Sequence, residues 1–251
     1  FRGQPGPGVE QTIRADAPDI LIDLAGHTGM VSRLPLFARR LAPVQVTYLG
    51  YPNTTGVPAM DYRFTDDLVD PVGEADRFAT EQLVRFAPTA WTYSAPLDAP
   101  AVAPLPALAR GQVTFGCFNN LAKITDATLS LWGRVLRAVS GSRLCLKGRG
   151  LAEAAVQARY RERFARTGVP VEQVDLLERT AKTDEHLANY HQIDIALDTS
   201  PYNGTTTTCE ALWMGVPVVA LLGDQHVSRV SASLLRAAGH SEWIASTPDA
   251  Y

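Results

Sequence analysis

Four consecutive threonines, residues 205–208, are the part of this chain whose side chains most clearly suggest chemistry. A run of β-branched hydroxyl residues is a poor helix interior but a good helix start. The first turn of a helix has unpaired N–H groups and carries the positive end of the helix dipole. Because the hydroxyls add further donors at that end, the run predicts a pocket for phosphate.

Glu210 falls about one turn further into the same helix. At that distance from the phosphates, its carboxylate could accept hydrogen bonds from both hydroxyls of a ribose. The alternative is that one threonine only caps the helix. Capping requires one hydroxyl and not four, so the pattern favours the phosphate pocket.

The residues around the threonines predict the unit that positions them. Ile193, Ile195 and Leu197 alternate with smaller or acidic residues, which is typical of a strand buried mainly on one face. The Ser-Pro and Asn-Gly pairs within residues 200–204 then mark a tight loop. Gly215 ends the apolar run that follows, and the order is therefore strand, loop, helix, strand.

Asn119, Asn120 and Lys123 follow another predicted strand, residues 113–118. Paired amides and a lysine at the carboxyl end of a strand can hydrogen-bond a phosphate and neutralise its charge. The alternative is an ordinary loop with a solvated lysine. Because the threonine helix is predicted at the same edge of the sheet, the functional interpretation is favoured.

A third loop at this edge, residues 181–186, starts another predicted helix. Thr183 is its predicted N-cap, with acidic residues in the first turn, so most of the segment reads as ordinary helix initiation. Ala181, Lys182 and His186 remain as candidate ligands for a nucleotide. From spacing alone, His186 is interpreted as a surface histidine.

Two further patterns argue against other kinds of site. Gly148, Arg149 and Gly150 stand between a strand and a helix, but Glu153 occupies the place of the third glycine of a dinucleotide fingerprint, so we discount that motif. No two aspartates are separated by a single residue, and the histidines and cysteines have no ligand spacing. We therefore expect neither a metal nor another cofactor.

Composition limits the class of protein. The 251 residues are 46% hydrophobic, enough for one large α/β domain or two smaller ones. A net charge of −3 gives no reason to expect nucleic acid or an anionic membrane as a partner, and no apolar run reaches the roughly 20 residues of a membrane span. Three scattered cysteines fit a reducing cytoplasm. The first eight residues do not resemble a signal peptide, and the absence of an initiator methionine suggests a piece of a longer protein.

Strand and helix signals alternate along the chain, which predicts an α/β fold with doubly wound parallel sheets. Residues 1–86 read as the closing half of one sheet, whose strands are predicted at 19–24, 44–49, 62–65 and 82–86. Residues 87–110 are rich in proline and alanine and read as an interdomain connection. Residues 111–251 then form a second, more regular unit, whose strands are predicted at 113–118, 143–147, 173–177, 193–197 and from 218. Thr125 is predicted to cap a helix in which apolar residues recur at helical spacing, at Leu129, Trp132, Leu136 and Val139. A further helix is predicted over residues 151–167, where Gly168 ends it.

Several motifs together resemble the O-linked N-acetylglucosamine transferases, most of all their bacterial, Spindly-related members. The matching segments follow one another over nearly the whole chain, at residues 19–28, 42–45, 49–52, 118–124, 197–199 and 203–217. The resemblance implies a GT-B fold with two Rossmann-like lobes, of which the first is only partly present. It also implies a metal-independent, inverting enzyme that moves N-acetylglucosamine from its uridine diphosphate conjugate (UDP-GlcNAc) to serine or threonine hydroxyls of a protein or peptide acceptor. Members usually carry tetratricopeptide repeats before the catalytic lobes.

The resemblance also assigns roles to individual positions. Lys123 would neutralise the diphosphate beside Asn120, and Thr206 and Thr207 would hold the phosphates. Glu210 matches an acidic residue that binds the ribose, and His186 matches a nucleotide-binding histidine. Gly50 matches a glycine near the sugar, and Arg33 matches an arginine that faces the cleft. This match reverses the interpretation of His186 as a surface residue.

The chain departs from the animal members of that family at two places. Thr205 stands where they have a histidine, and Asn189 stands where they have an arginine, so the base and sugar preference stays open. The family's histidine in a His-Pro context is expected to precede residue 1, since the loop around His27 does not match it. Two alternatives remain: a relative that uses guanosine diphosphate fucose or UDP-glucose or modifies asparagine, and a nucleotide-sugar-binding module without turnover.

Overall fold

The computed structural model describes residues 6–29 and 32–251, so the first five residues of the segment compared above with a signal peptide lie outside it. The chain forms two compact units. The first runs to Thr92 and takes in Gln225–Val227, and the second consists of Tyr93–Asp224 and Ser228–Tyr251. The proline- and alanine-rich stretch at 87–110 is thus divided between the units. Ala90 donates its backbone N–H to Asp66 in the first, and Ala107 donates to Asp194 in the second.

The first unit is built on a four-stranded parallel sheet with the order β1-β2-β3-β4. Its elements in chain order are α1 (Gly6–Asp16), β1 (Ile20–Asp23), α2 (Leu34–Phe37), β2 (Val44–Thr47), β3 (Tyr62–Thr65) and β4 (Gln82–Arg85). Val9 and Ile13 of α1 pack on Leu36 and Leu41. The four predicted strands are all present, each within about two residues of its expected ends.

A buried ionic cluster lies in the first unit. Oδ2 of Asp70 lies 2.9 Å from Nδ1 of His226 and 3.4 Å from Nη2 of Arg63, and all three residues are well buried. Burial opposes ionisation of Asp70, yet the hydrogen bond and charge of His226 together with the Arg63 charge lower its pKa to about 2. Burial also lowers the pKa of His226, and its hydrogen bond to Asp70 offsets this only in part.

The second unit contains a six-stranded parallel sheet with the order β7-β6-β5-β8-β9-β10. Its elements are α3 (Pro106–Arg110), β5 (Thr114–Cys117), α4 (Asp126–Ala138), β6 (Arg143–Gly148), α5 (Ala154–Thr167), β7 (Val174–Glu178), α6 (Thr183–Ala188), β8 (Ile195–Leu197), α7 (Thr206–Trp213), β9 (Val218–Leu221), α8 (Val230–Ala237) and β10 (Ile244–Ala245). This is the strand order of a Rossmann sheet, in which the direction of winding reverses between the two central strands, here β5 and β8.

The core of the second unit follows the predicted helical periodicity. Trp132 and Leu136 of α4 are completely or almost completely buried together with Leu144 of β6. Thr125 caps α4 by accepting a hydrogen bond from the backbone N–H of Thr128, as the sequence predicts. Gly168 ends α5 with a φ of +76°, a conformation that costs glycine little.

Several predicted element ends are wrong. Helix α6 begins at Thr183, so Lys182 and not Thr183 is the N-cap residue, and no side chain caps the helix. Helix α5 begins at Ala154 and not at 151, because residues 149–152 form a turn held by Glu178. The connection at 87–110 contains the short helix α3, and β10 has no counterpart in the prediction.

Among the described residues, no helix is long and apolar enough to cross a membrane.

Candidate functional site

The loops after β5 and β8 meet at the point where the winding of the second sheet reverses. Asn119, just after β5, donates from Nδ2 to Oδ1 of Asp198 over 3.0 Å and to the hydroxyl of Thr199 over 3.1 Å. The backbone N–H of Gly204 donates to the same Asp198 oxygen over 2.8 Å. In open parallel sheets, ligands bind outside the carboxyl ends of the strands at such a point. The hydrogen bonds therefore fix the two loops at the place where a ligand is expected.

The four threonines at the start of α7 have different surroundings. Thr205 is half-buried and Thr206 is exposed, and no side-chain hydrogen bond from Thr205 caps the helix, so the capping alternative is wrong. The hydroxyl of Thr207 donates to Oδ1 of Asn119. Thr208 is buried and pairs with the hydroxyl of Ser231 over 2.9 Å. Two of the four hydroxyls are thus tied to the protein, while Thr205 and Thr206 lie where a ligand could reach them.

Lys123 lies beside the start of α7. Its Nζ donates to the backbone oxygen of Asn203 over 2.8 Å and lies 4.1 Å from the centre of the Tyr202 ring. Burial lowers the pKa of Lys123, and the charge of Asp198 opposes the shift. The solvated-lysine alternative is therefore wrong, because the ammonium is held against the loop that leads into the threonine helix.

Asn120 and Asn119 are placed differently although they are adjacent in sequence. The side chain of Asn120 accepts a hydrogen bond from the backbone N–H of Ala122 over 3.0 Å and caps a short 3₁₀ helix, Leu121–Lys123. Asn120 is exposed and lines the cavity beside the site, whereas Asn119 is buried and joins the threonine helix to Asp198.

His186 is held between two charged residues. Its Nε2 lies 2.9 Å from Oε2 of Glu210, and its Nδ1 lies 2.6 Å from Nζ of Lys147. The hydroxyl of Tyr190 also reaches Oε2 of Glu210 at 3.4 Å. The His186 side chain is 22% exposed, so the surface interpretation drawn from spacing is wrong. The structure therefore brings together the predicted ribose ligand and the predicted nucleotide-binding histidine.

A cavity of about 440 Å³ opens beside these groups, a volume within the range of small-molecule sites. Its lining combines apolar, amide and cationic side chains: Phe118, Asn119, Asn120, Leu121, Lys147, Gly148, Arg149, Arg179 and His186. Three of these carry positive charge and none is acidic. The lining therefore suits an anionic ligand with a planar apolar part.

The remaining candidates from the 181–189 segment lie at the surface or are engaged locally. Ala181 is exposed, and Lys182 is exposed with its Nζ 3.7 Å from the Glu185 carboxylate. Asn189 donates to the backbone oxygen of Glu185 over 2.6 Å and accepts from the side chain of Gln192 over 2.9 Å. Both polar atoms of the Asn189 side chain are thus used within its own helical segment.

Gly50 and Arg33 belong to the first unit, whereas the other candidates belong to the second. A Cβ atom at Gly50 would lie 2.3 Å from the backbone oxygen of Leu24, so only glycine fits there. Arg33 is half-buried and directly precedes α2.

The glycine-containing loop between β6 and α5 does not present free amides to a phosphate. The backbone N–H groups of Gly150 and Ala152 donate to the two carboxylate oxygens of Glu178, over 3.0 and 2.9 Å. Because these N–H groups already donate to Glu178, they are not free to bind a phosphate, which agrees with our rejection of the dinucleotide fingerprint.

Three residues that build the site escaped the sequence prediction. Lys147 reads as an ordinary strand position, and Asp198 and Tyr190 read as the ends of their elements. The sequence signal that could have found Lys147 is a lysine inside a predicted strand, since a charged side chain that a sheet buries needs a partner. Among the described residues, no group of three or more histidine, cysteine, aspartate or glutamate side chains could hold a metal ion.

The family model of glycosyl transferase family 41 matches residues 6–92 and 105–251. A SPINDLY protein of Petunia hybrida, described as a probable UDP-N-acetylglucosamine–peptide N-acetylglucosaminyltransferase, is 44% identical over 97% of this chain. The protein SEC of Arabidopsis thaliana, described in the same words, is 33% identical over 92% of the chain. The chain spans about a quarter of the length of these curated relatives, 26% and 24% respectively.

Among solved structures, a lysine-to-methionine mutant of the O-GlcNAc transferase of Thermobaculum terrenum superposes with a TM-score of 0.93. The two are 42% identical, and the match covers all of this chain and 47% of the other. The predicted GT-B fold, with a parallel sheet in each unit, is thereby confirmed. Since the family model accounts for most of its residues, this chain belongs to glycosyl transferase family 41.

Proposed function

We propose that the protein containing this chain transfers N-acetylglucosamine from UDP-GlcNAc to serine or threonine hydroxyls of a protein or peptide. The observation that carries the proposal is the placement of Lys123, whose Nζ is held 2.8 Å from Asn203 beside the start of α7. An ammonium and a helix N-terminus on one side of a pocket are suited to a diphosphate. The relatives named above support the choice of sugar and acceptor.

In the proposed reaction, the oxygen of the acceptor hydroxyl attacks the anomeric carbon of the sugar and its proton is released. The bond between that carbon and the diphosphate oxygen breaks, and uridine diphosphate (UDP) leaves with the bonding electrons. Attack from the opposite face inverts the configuration of the sugar. Lys123 and the first turn of α7 would stabilise the charge that develops on the leaving diphosphate.

The nucleoside would lie in the cavity lined by Phe118 and His186. Glu210 would accept a hydrogen bond from a ribose hydroxyl, and Thr205 and Thr206 would donate to the phosphates. No metal is part of this proposal, because lysine, the helix dipole and the hydroxyls supply the charge stabilisation.

We also propose a cytoplasmic location, which the free thiols of Cys117, Cys145 and Cys209 support.

A second candidate is a transferase that uses a guanosine diphosphate sugar. Arg149 and Arg179 line the same cavity, and arginine pairs well with the O6 and N7 atoms of guanine. The cavity of about 440 Å³ leaves room for a purine. Competition between UDP and guanosine diphosphate (GDP) for the donor site distinguishes the two candidates.

The decisive experiment is transfer of radiolabelled sugar from UDP-GlcNAc to a mixture of protein acceptors by the full-length parent, under single-turnover conditions and with excess EDTA. We expect labelled serine or threonine and no loss of rate with the chelator. Absence of transfer with a folded, nucleotide-binding protein would favour a binding module. Activity lost in EDTA and restored by magnesium or manganese would contradict the metal-free mechanism.

A further inference from the structure

Lys147 is a buried cation that the proposed reaction does not use directly. It is the fifth residue of β6 and only 3% exposed, in a sheet whose neighbouring side chains are mostly apolar. A buried ammonium is costly unless it is paired or hydrogen-bonded. Its presence therefore requires a partner, and the structure supplies one.

The partner of Lys147 is His186. Nζ of Lys147 lies 2.6 Å from Nδ1 of His186 and 3.3 Å from the backbone oxygen of the same residue. The ammonium also lies 5.0 Å from the centre of the Phe118 ring. An ammonium can only donate, so Nδ1 must be the acceptor and the ring proton must be on Nε2.

That assignment determines the next contact in the chain of hydrogen bonds. Nε2 of His186 lies 2.9 Å from Oε2 of Glu210, and with the proton on Nε2 the imidazole donates to the carboxylate. The hydroxyl of Tyr190 lies 3.4 Å from the same oxygen and 3.1 Å from the backbone oxygen of Thr207, so its proton is shared between the two. Among the described residues, the other carboxylate oxygen of Glu210, Oε1, makes no hydrogen bond, so it is the one that a ligand can use.

We propose that Lys147 is a positioning residue for nucleotide binding, which sets the tautomer of His186 and through it the orientation of Glu210. The ligand class is a nucleoside diphosphate with an intact ribose. The inference rests on the proposed function for the identity of the ligand, but the tautomer of His186 is a property of the free protein. Lys147, His186 and Glu210 belong to β6, α6 and α7. The order Lys147–His186–Glu210 thus connects three elements around the cavity.

Other charges around Lys147 are compatible with this role. Burial lowers the pKa of Lys147 to about 8, the nearby Glu210 carboxylate and Cys145 thiol oppose that shift, and Arg179 adds to it. At neutral pH, most of the molecules therefore keep the ammonium, which can only donate to Nδ1 of His186.

The test uses nitrogen-15 NMR of the His186 imidazole in the free 251-residue chain at neutral pH, with no nucleotide present. In the wild type we expect an unprotonated Nδ1 and a protonated Nε2. In Lys147→Met, which keeps most of the side-chain volume, we expect the Nδ1 signal to shift towards that of a protonated or exchanging nitrogen. Lys147→Arg, which retains a donor cation, should restore the wild-type pattern. A wild-type imidazole with its proton on Nδ1 would overturn the inference whether or not any variant folds.

Nucleotide affinity provides the second readout. Lys147→Met should weaken UDP binding about tenfold or more, the effect of disturbing one charge-assisted hydrogen bond, while pyrophosphate binding stays within about twofold. Arg166→Ala, which removes an exposed cation of α5 that pairs with Asp126 of α4, is the control and should bind normally. Equal losses for UDP and pyrophosphate would show that Lys147 acts only as a charge and would contradict the positioning role. If no variant or wild-type chain binds UDP, the proposed function fails, but the tautomer measurement still decides the inference.

Discussion

Asn119 donates from its side-chain amide to the buried carboxylate of Asp198 over 3.0 Å, and this contact joins the ends of the two central strands of the second sheet. Burial raises the pKa of Asp198 to about 6, although the hydrogen bonds from Gly204 and Asn119 oppose the shift. The amide oxygen of Asn119 meanwhile accepts from Thr207. One buried side chain therefore couples the stability of the sheet to the position of the threonine helix.

We expect Asn119→Ala to reduce the free energy of unfolding by about 1–3 kcal/mol, because it leaves a buried carboxylate and a threonine hydroxyl short of a partner. Urea denaturation monitored by circular dichroism measures the change. Asn120→Ala, next in sequence but exposed, removes only the cap of a three-residue 3₁₀ helix and should cost less, at most about 1 kcal/mol. Equal effects of the two substitutions would contradict the structural role assigned to Asn119.

Lys123→Ala in the full-length parent should lower turnover by roughly 10²–10³-fold, the usual effect of removing one preorganised group that stabilises developing charge. Folding should change little, since Lys123 lies in a loop and contributes little apolar packing. Steady-state transfer kinetics and a thermal melt of the same sample measure both quantities. A folded variant with normal turnover would exclude Lys123 from the mechanism.

Substitutions of the threonines that bind the phosphates and of the glutamate that binds the ribose should affect UDP and pyrophosphate binding differently. Thr206→Ala should weaken UDP binding about fivefold, the contribution of one neutral hydrogen bond, while Thr206→Ser should bind like the wild type. Thr207→Ala should weaken UDP binding only indirectly, through the position of the helix start, because the Thr207 hydroxyl donates to Asn119 and not to the ligand. Glu210→Ala should weaken UDP binding but leave pyrophosphate binding unchanged. Isothermal titration calorimetry with both ligands tests this, and a loss of pyrophosphate affinity in Glu210→Ala would contradict the ribose assignment.

The first unit should become less stable as the pH falls below about 6.5. Burial lowers the pKa of His226, so between its folded and unfolded pKa values the unfolded chain binds a proton that the folded chain does not. Stability is then lost on acidification, by at most about 1.4 kcal/mol per pH unit. Asp70, with its pKa lowered to about 2, adds a loss in the same direction between about pH 4 and 2.

The measurement is urea unfolding of wild type, His226→Gln and the control His240→Gln at pH 7.5 and 5.5. His240 is 42% exposed, so its replacement should leave the pH dependence as in the wild type. Replacement of His226 should make the dependence shallower. Parallel pH dependences for all three proteins would show that His226 does not titrate as the buried cluster requires.

Much of the fold was predictable because the determining signals are local. Alternation of apolar residues located nine of the ten strands found in the described part of the chain, and Thr125 and Gly168 marked helix ends by their own conformational preferences. The prediction errors arise where a residue far along the chain determines where an element begins or whether it forms. Helix α5 starts late because Glu178, 26 residues further along the chain, takes the N–H of Ala152. The two-residue strand β10 exists only through its pairing with β9.

The residues of the candidate site likewise divide into those with a local sequence signal and those that depend on distant partners. The threonine run and Lys123 were predictable, since each follows a strand and carries the group that the chemistry needs. Lys147, Tyr190 and Asp198 were not assigned, because their partners lie between 20 and 79 positions away and only the fold brings them together. Lys182 was assigned from its charge and its place before a helix, yet its side chain is 72% exposed.

Calorimetric titration of the purified 251-residue chain against UDP, GDP, adenosine diphosphate (ADP) and pyrophosphate tests whether the second unit contains a nucleoside diphosphate site. We expect saturable one-to-one binding of UDP, tighter than that of pyrophosphate and of ADP, and weakened in Lys123→Ala. GDP binding tighter than UDP binding would select the alternative donor at the same site. If none of the four ligands binds the folded chain, or if Lys123→Ala leaves UDP binding unchanged, this chain does not contain the proposed site.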